Sequence, residues 1–218
     1  YICYYPEGND KTIHEFPAYS FVLGDLHAHV VNLMFVLLVV GMTYAFMKRP
    51  VVTAAKRKSM SLKQRIMHDF LQIHILLFGL FTGIFHFTNY FVMCLVFLVS
   101  VTSVAIKKRG DMGRFRSIFC KMSLQDLYIA GLALCAMGLV VIPELIYVRD
   151  IYEEGFARAN TMFKLTYQAF TLFGICMAYI LMRFLLHRSR RLYVTGIVTG
   201  VCLVSTFGYI INALSLIH

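Results

Sequence analysis

Asp25, His27 and His29 alternate at the end of the run EFPAYSFVLGDLHAH, Glu15–His29. On an extended strand that spacing sets three oxygen or nitrogen donors on one side, the arrangement that holds a divalent ion such as Mg or Mn. On a helix, Asp25 and His29 are instead i and i+4 neighbours on one face. Either backbone brings the carboxylate to an imidazole. The chemistry this allows is a metal site, or an acid–base pair in which the carboxylate favours the protonated ring. The structural alternative is a helix cap, with Asp25 satisfying open backbone N–H groups and the imidazoles in the headgroup zone. Three ionisable groups beside a hydrocarbon boundary are costly unless paired, which weighs towards function.

A second polar run, PELIYVRDIYEEGFARANTMFKLTYQ, covers Pro143–Gln168. In it Asn160, Lys164, Tyr167 and Gln168, followed by Thr171, recur at helical spacing and draw one polar stripe into an apolar block. Such a stripe is expected to face a bundle interior or a wet cavity. Arg158 and Lys164 supply two cations at the boundary, a set suited to a phosphate or pyrophosphate. Snorkelling accounts for Lys164 alone, but not for the Asn, Tyr and Gln that accompany it. Glu144 and Asp150 are candidate catalytic carboxylates with Arg149 as a cationic partner, whereas Glu153 and Glu154 read as a solvated loop. His86 and Asn89 could complete a site, although a lone histidine at an outer boundary is more often interfacial, and His74 reads as a helix-packing hydrogen bond.

The elements that must position these groups follow from composition. The chain has 218 residues, of which 59% are hydrophobic and 15% charged, too little polar surface to coat a water-soluble fold. The apolar blocks are about 20 residues long, the helical length that crosses a hydrocarbon core. They are apolar on both faces, which excludes an alternating β-barrel. The expected fold is therefore all-α: a polytopic transmembrane bundle of about six spans, with polar re-entrant or interfacial segments on the non-cytoplasmic side. The spans are expected near 30–47, 70–87, 90–106, 124–142, 165–186 and 193–214. Residues 1–29 then form an outer segment and 143–164 an outer loop of a single domain, 1–218. Pro17 and Gly24 predict a turn or re-entrant stretch before the first span.

Seventeen of the 21 lysines and arginines fall in three clusters, at 48–65, 107–121 and 183–191, that six alternating spans place on one side. The positive-inside rule makes that side cytoplasmic and the protein a cell-membrane protein, with lipid headgroups, not nucleic acid, as partners of the basic loops. Eight of the 11 acids lie on the opposite face. Because Tyr1–His29 must already be outside, an upstream span or a removed signal is expected. The rest of a longer chain, or partner membrane subunits, would then accompany this one. Six cysteines show no CxxC spacing and imply no disulfide framework.

The two polar runs together resemble the YYY membrane protein family, domain of unknown function 2298. Its pattern is an acidic-Phe-Pro followed by Ser-Phe and Gly-Asp-Leu-His-x-His in the first run. In the second it is Glu-Leu, Arg-Asp, Arg-x-Asn-Thr-x-Phe-Lys and Tyr-Gln. The outer end of the second span departs from the pattern: HFTNYFVM stands where the family has Trp-Asp, and this chain has no Trp. The resemblance implies similarity to GT-C-type glycosyltransferases, membrane enzymes that take sugar from a polyprenyl-phosphate donor on the outer face. It implies Asp25, His27, His29, Glu144, Arg149, Asp150, Arg158, Asn160, Lys164, Tyr167 and Gln168 as motif residues. The alternatives are a transporter or flippase of a lipid-linked or anionic solute, and a non-catalytic membrane scaffold.

Overall fold

A computed structural model describes residues 17–24, 27–50, 52–69, 71–89, 91–107, 122–148, 156 and 158–205. Among these residues the regular structure is helical throughout: α1 (Pro17–Leu23), α2 (Ala28–Lys48), α3 (Ala54–Ser59), α4 (Leu62–Asp69), α5 (Ile73–Thr88), α6 (Val92–Lys107), α7 (Leu124–Leu145), α8 (Ala159–Leu185) and α9 (Arg190–Ser205). The all-α class expected from the apolar blocks is what the chain adopts.

Among the described residues three helices are long and apolar enough to cross a membrane: α2 with 21 residues, α7 with 22 and α8 with 27. At about 1.5 Å per residue each exceeds ~30 Å. The second expected span, 70–87, corresponds to α5, which meets the preceding α4 at 57° and adds a fourth span only if the bent pair is one span. The break has a sequence cause. Lys63, Gln64 and Arg65 make α4 too polar to continue an apolar helix, and Gln72 caps α5 in an extended conformation while its amide donates to His68 O. The apolar α6 has 16 residues, or about 24 Å. The described part of α9 ends at Ser205, and the rest of the sixth expected span lies outside the described residues.

The chain divides into two compact units, residues 1–31 with 132–218, and residues 32–131. In the second unit the buried side of α6 is Val92, Leu95, Val96, Val99, Ser103 and Ile106, a helical stripe. Gly131 of α7 closes on that helix so tightly that an added Cβ would stand 2.5 Å from Thr102 Cγ2. A small residue is what lets two helices approach this far. The hydroxyls of Thr43 and Tyr128 lie 2.7 Å apart and both reach Val40 O, at 2.8 and 2.6 Å. In the first unit α8 packs on α9, with Gly196 against Phe184 and Leu185. Leu165, Ala169, Leu172 and Cys176 form the buried stripe of α8.

Gly24 ends α1 with φ +65°, the left-handed conformation that glycine adopts without steric cost, so the predicted turn before α2 is present. Of the cysteines within the described residues, Cys94 and Cys202 are free thiols.

Candidate functional site

The first unit brings the two polar runs together. Pro143 stands inside α7, where it cannot donate to the preceding turn, and the helix ends two residues later. Glu144 therefore belongs to the last turn of α7, not to the outer loop expected from the sequence. Arg158 precedes the first residue of α8 with no side-chain cap, and its carbonyl accepts from Met162 N at 2.9 Å. The α8 helix starts six residues before the expected span, because Asn160 and Lys164 are helical although too polar for an apolar window.

Two links tie the end of α7 to the start of α8. Arg158 Nη1 donates to Glu144 Oε2 in an ion pair whose side chains are 22% and 49% exposed. Thr161 Oγ1 accepts from Val148 N at 3.0 Å and lies 3.4 Å from Val148 O. Thr161 is buried, so this hydroxyl satisfies a chain that has just left its helix.

His29, in the first turn of α2 and 6% exposed, packs edge-on against Phe163 and Tyr167 of α8, with ring centroids at 4.7 and 5.0 Å. Phe163 and Tyr167 are themselves i and i+4 neighbours in edge contact. His27 is exposed, caps α2 by accepting from Val30 N and Val31 N through its carbonyl, and stacks on His29 at 5.7 Å with planes 12° apart. An ion lies in the plane of each imidazole that binds it, and stacked parallel planes do not meet at one ion. His27 and His29 as placed thus do not share a ligand, and among the described residues no group of three His, Cys, Asp or Glu could hold a metal. Asp25, the expected third member, lies outside the described residues, as do Arg149 and Asp150.

Below this cluster the polar stripe turns inward. Tyr167 and Gln168 are fully buried, while Asn160, Lys164 and Thr171 are half-buried. Neither end of the Gln168 amide has a hydrogen-bond partner among the described residues. A buried amide left in that state costs about 1–3 kcal/mol, so its presence calls for a use. The stripe ends there: the hydroxyls of Thr166 and Thr171 turn back onto Met162 O and Tyr167 O of their own helix.

The structure thus joins His27 and His29 to Tyr167, and Arg158 to Glu144. Thr161 and Phe163 stand in the pattern of the second run, but the sequence assigned neither of them a role. The i, i+4 spacing of Phe163 and Tyr167 was the signal for an aromatic wall. Nothing in the sequence marked Thr161 as a link to Val148.

The chain belongs to DUF2298, a family of uncharacterized membrane proteins whose model matches residues 1–125 and 115–173. The membership read from the two polar runs is thereby established, and with the apolar helices it makes this an integral membrane protein in contact with lipid. No curated protein and no solved structure matches the chain.

Proposed function

We propose that this DUF2298 member is a membrane glycosyltransferase of GT-C-like type, using a polyprenyl-phosphate-linked sugar at the outer face. The observation that carries the reading is the fully buried Gln168 amide, without partners among the described residues, on the same helical stripe as the cations Arg158 and Lys164. A buried amide of this kind suits the hydroxyls of a sugar, which donate and accept at once. From Arg158 to Gln168 the helix rises about 15 Å, room for a phosphate at one end and a sugar ring at the other.

In this reading the acceptor hydroxyl oxygen attacks the anomeric carbon, and the bond from that carbon to the phosphate oxygen breaks with its electron pair. Polyprenyl phosphate departs, and its charge is stabilised by Arg158 and Lys164. The planar fork of Arg158 lets one guanidinium bridge Glu144 and the phosphate. Glu144, held by Arg158, takes the acceptor's proton. Asp25 and Asp150 are the further carboxylates this reading allows, and Arg149 the further cation. Asn160 and Tyr167 shape the pocket, and His27 with His29 positions the acceptor. A Mg or Mn ion on Asp25, His27 and His29 would require His27 to leave its stack. The transporter reading draws on the same stripe, but a pathway needs polar groups that continue inward, and Thr166 and Thr171 spend theirs on their own helix.

The test is release of polyprenyl phosphate from a polyprenyl-phosphate-linked sugar by the purified full chain in nanodiscs. Release is expected, with loss in Lys164→Met. Full release in that variant removes the phosphate clamp, and donor binding without release identifies a carrier instead of an enzyme.

A further inference from the structure

The second unit holds a separate arrangement that the proposed reaction does not use. A cavity of about 180 Å³ lies between α2, α5 and α6, walled by Met42, Phe46, Ile75, Phe78 and Val104 among others. Its volume is close to that of engineered apolar cavities that bind a ring-sized ligand, about 150 Å³. Two of its wall residues also hold cations. His74 Nε2 lies 2.9 Å from Arg49 Nη1, and Phe46 O accepts from Lys107 Nζ at 2.8 Å, with the Phe46 ring 4.0 Å beneath that ammonium.

Neither cation meets a carboxylate among the described residues. Arg49 can only donate, so the His74 nitrogen facing it is an acceptor and that imidazole is neutral. The partners of Lys107 are a carbonyl and an aromatic face. Two positive charges therefore stand beside an apolar cavity with only neutral groups to hold them among the described residues. Of the three hydroxyls in the wall, that of Ser100 is buried and has no partner among the described residues, whereas Ser103 donates to Val99 O at 2.7 Å and Thr43 to Val40 O at 2.8 Å.

We propose that this end of α2, α5 and α6 is a binding site for one anionic glycerophospholipid. Its phosphate sits on Arg49 and Lys107, an acyl chain enters the cavity, and an ester carbonyl accepts from Ser100. The charge, the apolar volume and the open Ser100 hydroxyl match the three parts of that molecule in order. A basic pocket between helices at the end of a membrane helix is a physical match for an acidic headgroup. A neutral phospholipid would leave both cations uncompensated, and a free phosphate would leave the cavity unfilled.

The experiment is native mass spectrometry of the full chain, exchanged into nanodiscs of phosphatidylcholine with or without phosphatidylglycerol. Bound phosphatidylglycerol is expected on the unaltered protein, about thirtyfold reduced in the double variant Arg49→Met, Lys107→Met, from the usual worth of two cations near an acidic headgroup. Val104→Phe, which fills the cavity and keeps both charges, is expected to lose the lipid too, and Arg49→Lys to keep it. Inorganic phosphate is expected not to compete. Equal retention of the two lipids, unchanged retention in the double variant, or displacement by inorganic phosphate alone would each overturn the proposal. Helicity by circular dichroism shows that the variants are folded. If Val104→Phe fails that check, the comparison of lipids and the double variant still decide.

Discussion

The charged ends of the two units solve the same problem in different ways. At the start of α8, Arg158 is matched by the carboxylate of Glu144, and the polar groups that follow it run into the buried interior. At the end of α2, Arg49 and Lys107 are matched by an imidazole, a carbonyl and a phenyl ring, beside a cavity that is nearly all apolar. A cation with its own carboxylate is positioned by the fold and available for chemistry on a neighbouring group. One held by neutral dipoles keeps its charge for whatever anion arrives. The first arrangement is what a reaction centre needs, and the second is what a lipid site needs.

The largest effect that tests the first half of this comparison is on turnover. Glu144→Gln preserves the shape of the partner for Arg158 and removes the proton acceptor, so transfer is expected to fall by about 10²- to 10⁴-fold. Steady-state kinetics in nanodiscs measures it, and an unchanged rate would move the acceptor's proton to another group. Next in size is Gln168→Leu. Replacing a buried amide that has no partner among the described residues by a side chain of similar volume removes a desolvation penalty, so stability is expected to rise by about 1–3 kcal/mol while transfer is lost. Thermal unfolding reports the first and product formation the second, and a fall in stability would show that the amide has partners in the folded protein. Thr161→Val keeps the volume and takes the bond from Val148 N, so a loss of about 1 kcal/mol is expected by the same thermal measurement.

Much of the first comparison was legible in the sequence, and almost none of the second. Continuous apolar runs locate α2, α6 and α7 to within a few residues, because a helix surrounded by lipid has no reason to alternate. The polar stripe of α8 was visible from spacing alone, since 3.6 residues per turn put Lys164, Tyr167 and Gln168 on one face. Hydropathy misplaced the start of that helix because it scores Asn160 and Lys164 as loop. The bend between α4 and α5 escaped for a related reason: a window centred on the apolar run cannot see that its polar leader is a helix at an angle. The pairing of Arg49 with His74, 25 residues apart, depends on two helix ends meeting. His74 does make a hydrogen bond to another part of the fold, but its partner is Arg49, the residue that follows α2, and that identity was set by packing.

The smallest expected effect is the sharpest division between the two ends. Arg158 and Glu144 are partly exposed, so their Coulomb energy is screened, and a double-mutant cycle with Arg158→Met and Glu144→Gln is expected to give about 0.2–1 kcal/mol. Raising the salt shortens the screening length from ~10 Å at 0.1 M to ~3 Å at 1 M, so that coupling should shrink. Arg49 with His74 is a cation facing a neutral ring. The corresponding cycle, Arg49→Met with His74→Phe, should give about 0.5 kcal/mol or less, and salt should alter it little because only one partner carries charge. Acid should do what salt does not. Once His74 is protonated the pair becomes two like charges, and the coupling changes sign, whereas Arg158 and Glu144 lose theirs only when the carboxylate itself is neutralised. A salt-sensitive coupling at Arg49 would mean that an acidic partner stands there in the folded protein. The contrast between a matched and an open cation would then collapse.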